Sequence, residues 1–114
     1  MAGDPGKLPD ARRDAYAKGY ARREALKAGF DWYRAMPKDA EHNSKRKEIQ
    51  TPMLYLRGDA DGRSVHDYVS GIRNAGAVNL ESGVLPKSGE YAPEESPQAL
   101  IEALRRFRSK CAAR

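Results

Sequence analysis

Apolar residues recur at helical spacing in the first part of the chain and in short unbroken runs in the second. Leu26, Phe30 and Tyr33 follow one another at i, i+4 and i+7. This spacing predicts an amphipathic helix over Ala25–Met36, and Pro37 is expected to end it. An aromatic residue in such a stripe is normally a core residue, so Tyr33 is first expected to pack its ring and expose its hydroxyl.

The residues on either side of this helix are more polar. Residues 1–9 contain two glycines and two prolines and are expected to be a flexible lead. Asp10 is a suitable N-cap for an Ala-rich helix over Ala11–Ala21. Lys38–Lys47 is expected to combine a loop with a short helical turn, so residues 10–47 form one helical segment.

The pattern changes after Pro52. Met53–Leu56 is a continuous apolar run closed by Gly58, which is typical of a strand buried on both faces of a parallel sheet. A second strand is predicted over Val78–Leu85, irregular around Ser82 and Gly83. These two runs are the only strand signals in the sequence.

A helix follows each predicted strand. Ser64 is the expected N-cap of the first helix, and Gly76 is expected to supply its left-handed C-terminal stop. Ser96 is the expected N-cap of the second helix, with Pro97 at its first position. The predicted buried stripe of this last helix consists of Leu100, Ile101, Leu104 and Phe107.

Residues 48–110 therefore show the order strand, helix, strand, helix, and residues 111–114 are a tail. This order predicts an α/β fold with a right-handed crossover. Ligands of such sheets bind beyond the carboxyl ends of the strands. The loops Gly58–Arg63 and Lys87–Glu94 are thus the expected place of a site.

The composition narrows the class of protein. Of the 114 residues, 17 are Leu, Ile, Val or Phe, which predicts a thin core. The 21 basic and 16 acidic residues give a net charge of +5, but the aromatic residues are not interleaved with the basic clusters as nucleic-acid stacking requires.

No apolar run is long enough for a membrane helix, and the first ten residues lack a secretory signal. A reduced, cytoplasmic setting is the default expectation, with nucleic acid and membrane not expected as partners.

Metal and cofactor motifs are absent from the sequence. Asp59–Gly62 resembles the start of a calcium loop, but Arg57 and Tyr68 stand where further acidic ligands are required. His42 and His66 have no second ligand at metal spacing, and Cys111 has no cysteine partner. We therefore expect no metal and no cofactor. No serine elbow and no phosphate loop is visible either.

Three ordered motifs resemble one enzyme family. The segment Phe30–Ala35 looks like the cap helix of epoxide-hydrolase-like α/β-hydrolases. Thr51–Asp61 looks like their penultimate strand and acid loop, and Ser88–Pro97 looks like the loop that follows their last strand. The order and spacing of the three agree over roughly residues 8–108. Haloalkane and fluoroacetate dehalogenases share this architecture, so the resemblance implies a partial α/β-hydrolase fold.

The resemblance also implies roles for three residues. In such enzymes an Asp nucleophile forms an ester, a His activates the water that cleaves it, and an acid orients the His. Asp61 matches the orienting acid, and Tyr33 matches one of the cap tyrosines that polarise an epoxide oxygen. Glu90 stands at the position of the His.

The departures from the family predict an inactive chain. A carboxylate is a poor base at neutral pH unless burial or a second carboxylate, such as Asp61, raises its pKa. The nucleophile and oxyanion hole of the family belong to a first half that precedes the cap. We therefore expect a truncated hydrolase portion that is inactive alone. The alternatives are a subunit that completes a site with a separate N-terminal half, a self-associating remnant, and a small basic binding module.

Overall fold

The fold is mixed α/β and consists of two units. The computed structural model describes residues 2–45 and 47–113, and it describes Asp61 by its backbone alone. One unit is helical and comprises Leu8–Arg46; the other comprises Met1–Lys7 with Lys47–Arg114 and contains the strands. The elements of the described chain are α1 (Asp10–Gly19), α2 (Arg23–Ser44), β1 (Met53–Gly58), α3 (Val65–Asn74), β2 (Leu80–Leu85), α4 (Ala92–Glu95) and α5 (Pro97–Ala112).

The helical unit differs from the prediction at the start of α1. Pro9 is the N-cap residue, and no side chain caps this helix. Asp10 is instead the first helical residue, where it forms an ion pair with Arg13. A carboxylate at this position still favours the helix, because the N-terminal end of the helix dipole is positive.

Helix α2 continues through Pro37, so the prediction that this proline ends the helix is wrong. The helix runs for 22 residues, to Ser44. Proline has no N–H, so one helical hydrogen bond, to the carbonyl of Tyr33, is lost. The fixed φ of proline is compatible with the helix, and the residues Lys38–Glu41 are acceptable helix formers. The helix propensity of the residues on both sides of Pro37 therefore keeps α2 continuous.

The sheet consists of two parallel strands, as the sequence predicts. Strand β1 pairs with β2 in the register that runs from Met53↔Leu80 to Gly58↔Leu85. Helix α3 lies between them in the chain. Its N-cap Ser64 accepts a hydrogen bond from the backbone N–H of His66 (3.2 Å), and Gly76 has φ +114° just beyond its end. Both capping predictions are confirmed.

Apolar side chains cover both faces of the sheet. On one face Val69, Ala77 and Leu80 are buried in a small core, against which Met53 and Tyr55 pack. The opposite face carries Leu54 and Leu56, which share a cavity of about 180 Å³ with Ala103 and Phe107 of α5. The strand predicted from the continuous apolar run is confirmed, but Met53–Leu56 are half-buried rather than buried as expected.

Helix α5 buries a different stripe from the predicted one. Ala103 is buried and Leu100 and Phe107 are half-buried, whereas Ile101 and Leu104 are 40% and 50% exposed. The apolar surface of α5 is therefore wider than the surface that the two strands cover. No helix among the described residues is long and apolar enough to cross a membrane.

The start of α5 confirms the predicted N-cap position of Ser96, with Pro97 as the first helical residue. The short helix α4 precedes it, and Ser96 caps neither helix end with its side chain. Its hydroxyl donates instead to the carbonyl of Pro86. Ser96 thus connects the start of α5 to the loop that follows β2. At its other end, α5 extends to Ala112, two residues into the predicted tail.

Candidate functional site

The loops that follow β1 and β2 are joined at the carboxyl edge of the sheet. The N–H of Ala60 donates to the carbonyl of Ser88 at 3.0 Å, and the N–H of Ser88 donates to Oδ1 of Asp59 at 3.3 Å. Ser88 is completely buried, and its hydroxyl lies 3.4 Å from the carbonyl of Leu85. These contacts hold the two predicted site loops side by side, as expected for adjacent parallel strands.

Gly58 permits this close contact. A Cβ atom at Gly58 would lie 2.0 Å from the carbonyl oxygen of Ser88 and 2.4 Å from that of Gly89. Both obstructing atoms belong to the backbone, so no side-chain rotation relieves the clash. Only glycine lets the end of β1 pass this near to the second loop.

We expect Gly58→Ala to destabilise the fold by about 3 kcal/mol or more, because the loops must separate to accept the methyl group. Gly71→Ala is the matched control. It adds the same methyl group inside α3, where nothing lies within 4 Å. It should stabilise the helix by about 0.5–1 kcal/mol. Urea unfolding of both variants measures the difference, and equal effects of the two substitutions would show that the loop contact is loose.

The structure places the three predicted site residues in different settings. The backbone of Asp61 closes a 3₁₀ turn, Asp59–Asp61, directly after β1; its side chain lies outside the described residues. Glu90 belongs to the adjoining loop and lines a cavity of about 200 Å³ with Leu56, Arg57 and Gly58. Tyr33 belongs to the other unit, where it is 62% exposed on α2.

Two expectations about these residues differ from the structure. Glu90 is exposed, so the burial that would raise the pKa of its carboxyl group is missing. Tyr33 was expected to pack its ring in a core, but it is exposed, and its ring lies edge to face with that of Trp32, with centroids 5.1 Å apart. Trp32 is equally exposed. The two helices of this unit contain no buried residue, so no core is formed there to receive the rings.

Glu95 holds the second site loop in place. Its side chain is 5% exposed. Oε1 accepts the N–H groups of Gly89 (3.1 Å) and Tyr91 (3.3 Å), and Oε2 accepts those of Gly3 (2.8 Å) and Asp4 (3.0 Å). Burial opposes ionisation of the carboxyl group, but the four backbone donors outweigh it and keep the pKa of Glu95 below its ordinary value.

The N-terminal segment is therefore not the flexible lead that its composition predicts. Gly3 and Asp4 are bound by Glu95, and residues 5–7 form a 3₁₀ turn. Lys7 continues the attachment by donating to the carbonyls of Lys87 (2.7 Å) and Glu95 (3.1 Å). The segment thus closes one side of the loop that carries Glu90.

An arginine–tyrosine cluster lies near the carboxyl end of β1. The guanidinium of Arg57 lies over the ring of Tyr68, 4.0 Å from its centroid, and donates to the hydroxyl of Tyr55 at 3.1 Å. Arg63 donates to the hydroxyl of Tyr68 at 3.1 Å. The hydrogen bond from Arg63, followed by that from Arg57, lowers the pKa of Tyr68. An open groove of about 440 Å³ lies beside Arg63 and Tyr68.

Sequence reasoning missed both Glu95 and this cluster. Tyr68 occupies a place in the helical stripe of α3, and its polar contacts come from a strand and a loop. Glu95 is one of two neighbouring glutamates, and no spacing rule separates the buried one from the other. Among the described residues, no three His, Cys, Asp or Glu side chains come together as metal ligands would.

The comparisons with known proteins concern the whole chain. No protein-family model and no curated protein matches it. Among solved structures it is similar to Cfl2 from Burkholderia cenocepacia, with a TM-score of 0.76 and 28% sequence identity. The match covers 93% of this chain and 36% of the Cfl2 chain. The chain thus spans about a third of the length of this structural relative.

Proposed function

We propose that this chain is the C-terminal portion of an epoxide-hydrolase-like α/β-hydrolase and that it is catalytically inactive alone. The observation that carries the proposal is the pair of joined loops at the carboxyl edge of two parallel strands. These loops contain Asp61 and Glu90, in the order in which the resemblance requires an orienting acid and a base. The match to about a third of a longer structural relative agrees with a portion of a larger fold.

Within the two joined loops, Glu90 is the residue that accounts for the proposed inactivity. An exposed carboxylate is ionised at neutral pH and is a much weaker base than imidazole. An orienting carboxylate at Asp61 would repel a second carboxylate, whereas it would stabilise an imidazolium ion. The pair therefore cannot reproduce the acid–histidine arrangement of the family.

The nucleophile must come from another polypeptide segment. The two described strands pair only with each other, so the outer edge of β1 offers backbone N–H and carbonyl groups to a further strand. Both faces of β1 already carry partly buried apolar side chains. This edge is the place where we propose that the N-terminal half of a hydrolase adds to the sheet, either within one longer chain or as a separate subunit.

The direct test is an assay of the purified 114-residue chain. We expect no hydrolysis of epoxides, esters or haloacids above the rate in buffer, because no covalent ester forms. Glu90→Gln should leave this background unchanged. Turnover by the unmodified chain that Glu90→Gln abolishes would overturn the proposal and would make Glu90 a working base.

A further inference from the structure

Helix α2 carries an apolar face whose large side chains are exposed. Six residues line one groove of about 240 Å³ on the helical unit: Tyr20, Leu26, Gly29, Phe30, Trp32 and Tyr33. Phe30 is 58% exposed, and Trp32 and Tyr33 are each 62% exposed. A contiguous apolar surface with several large aromatic side chains marks an interaction site.

Both helices of the helical unit are exposed or half-buried throughout. Neither α1 nor α2 contains a buried residue. At Gly29 of α2, an added Cβ would lie 3.3 Å from Cε1 of Tyr20, the residue that follows α1. An isolated helix as short as α1 is marginal in water, and most helical stability in proteins comes from packing of an apolar face.

We propose that the apolar face of α2 pairs with the same face of a second copy of this chain, in an antiparallel and two-fold symmetric arrangement. This inference does not rest on the hydrolase proposal and applies to the chain alone, because Tyr33 of the same face would contact the epoxide in an assembled hydrolase. It rests on the exposed face, on the area that pairing would bury, and on the charges at the two ends of the helix.

The exposed area is sufficient for a weak, specific dimer. The groove contains four aromatic side chains, those of Phe30, Trp32 and Tyr33 on α2 and that of Tyr20 beside it. Each has about 150–250 Å² of surface and is more than half exposed, so together they contribute about 500 Å² per copy. Leu26 and Met36, which are 44% and 42% exposed, add to this. Two copies therefore bury about 1,200 Å², the lower limit of a specific interface.

The charges favour the antiparallel orientation. Arg23, at the start of α2, and Glu41, near its end, are eighteen residues apart, which is five turns of helix, so they lie on the same side. Both side chains are exposed, and they are almost equally far from the centre between Phe30 and Tyr33. Antiparallel pairing brings Arg23 of one copy to Glu41 of the other, and the two-fold axis repeats this contact. Parallel pairing would place like charges together at both ends.

Sedimentation velocity of the full chain tests the proposal, together with the emission of Trp32, which is the one tryptophan in the sequence. We expect a dimer that dissociates on dilution at about 1–100 µM, with the emission of Trp32 shifting to the red as it does so. Phe30→Glu should weaken the dimer more than a hundredfold. The matched control is Leu104→Glu, at an exposed apolar residue of the other unit, which should change nothing.

A charge exchange tests the orientation. Arg23→Glu or Glu41→Arg alone should each weaken the dimer about tenfold, because each creates two like-charge contacts. The double variant Arg23→Glu with Glu41→Arg should recover the original affinity. A monomer at all concentrations, or a dimer that the exchange does not affect in this way, would overturn the proposal. A monomer whose Trp32 emission stays blue at every dilution would show that the chain covers this face itself.

Discussion

Hydrolysis of an epoxide should appear only when two changes are combined. The first is Glu90→His, and the second is a polypeptide that supplies the N-terminal half of an epoxide-hydrolase-like enzyme with its Asp nucleophile. Glu90→His without the second half should give no turnover, because a restored base has no covalent ester to cleave. The second half with the unmodified chain should form the ester and fail to hydrolyse it. We expect the combination to exceed either single change by about 10²–10⁴-fold, the usual contribution of a positioned base.

The position of Tyr33 supplies a control for this experiment. In the combined system, Tyr33→Phe should reduce epoxide opening by about 10²-fold, because it removes one donor to the developing oxyanion. Hydrolysis of a simple ester should fall much less. Steady-state assays with both substrates, and mass spectrometry for the trapped ester, measure these effects. Equal loss on both substrates would mean that Tyr33 serves the fold of the cap and not the epoxide oxygen.

Glu95 should be among the most costly residues to replace in this chain. Glu95→Ala leaves four backbone N–H groups without their acceptor, two in the Glu90 loop and two in the N-terminal segment, and the N–H of Gly89 is buried. We expect a loss of about 3 kcal/mol or more in the free energy of unfolding. Glu95→Gln keeps one acceptor oxygen but turns an amide N–H₂ towards backbone donors, so a loss of about 2 kcal/mol is expected. Glu102→Gln, on the exposed side of α5, is the matched control and should have almost no effect.

The pH dependence of the free energy of unfolding distinguishes the charge of Glu95 from the packing of its side chain. Because the folded-state pKa of Glu95 lies below the unfolded value, its stabilisation is fully present above the ordinary Glu pKa of about 4.3. It is lost as the pH falls through the lowered folded-state pKa. The gap between the chain and Glu95→Gln should therefore be constant from pH 8 to pH 5 and shrink in acid. Urea titrations along this series measure the gap, and a gap that does not change with pH would assign the effect of Glu95 to shape alone.

Limited proteolysis adds a structural readout for the same variant. Glu95→Gln should expose the N-terminal segment to cleavage near Lys7, whose amine donates to carbonyls of the same region. The unmodified chain should resist cleavage there. Equal cleavage of both proteins would show that the segment is held by other contacts.

Local sequence determined the elements of the strand-containing unit. The run Met53–Leu56 predicted a buried strand, and Ser64 and Gly76 marked the ends of α3, because caps and turn residues act through the backbone within a few positions. Alternation of strand and helix then predicted parallel pairing, because two strands that are joined by a helical crossover lie parallel in the sheet. The joined loops at the carboxyl edge of the sheet follow from that pairing.

Only the tertiary structure decided which side chains are buried and which polar groups meet. The patterns of Tyr33 and Leu104 indicated core positions, but burial depends on the area that neighbouring elements can cover, and both side chains are exposed. Glu95 became the acceptor of four backbone N–H groups because segments about ninety residues apart converge on it. Arg57 and Tyr68 meet because β1 and α3, which are neighbours in the chain, pack together. Helical or strand periodicity reports one element at a time, whereas contacts between distant segments depend on how those elements pack.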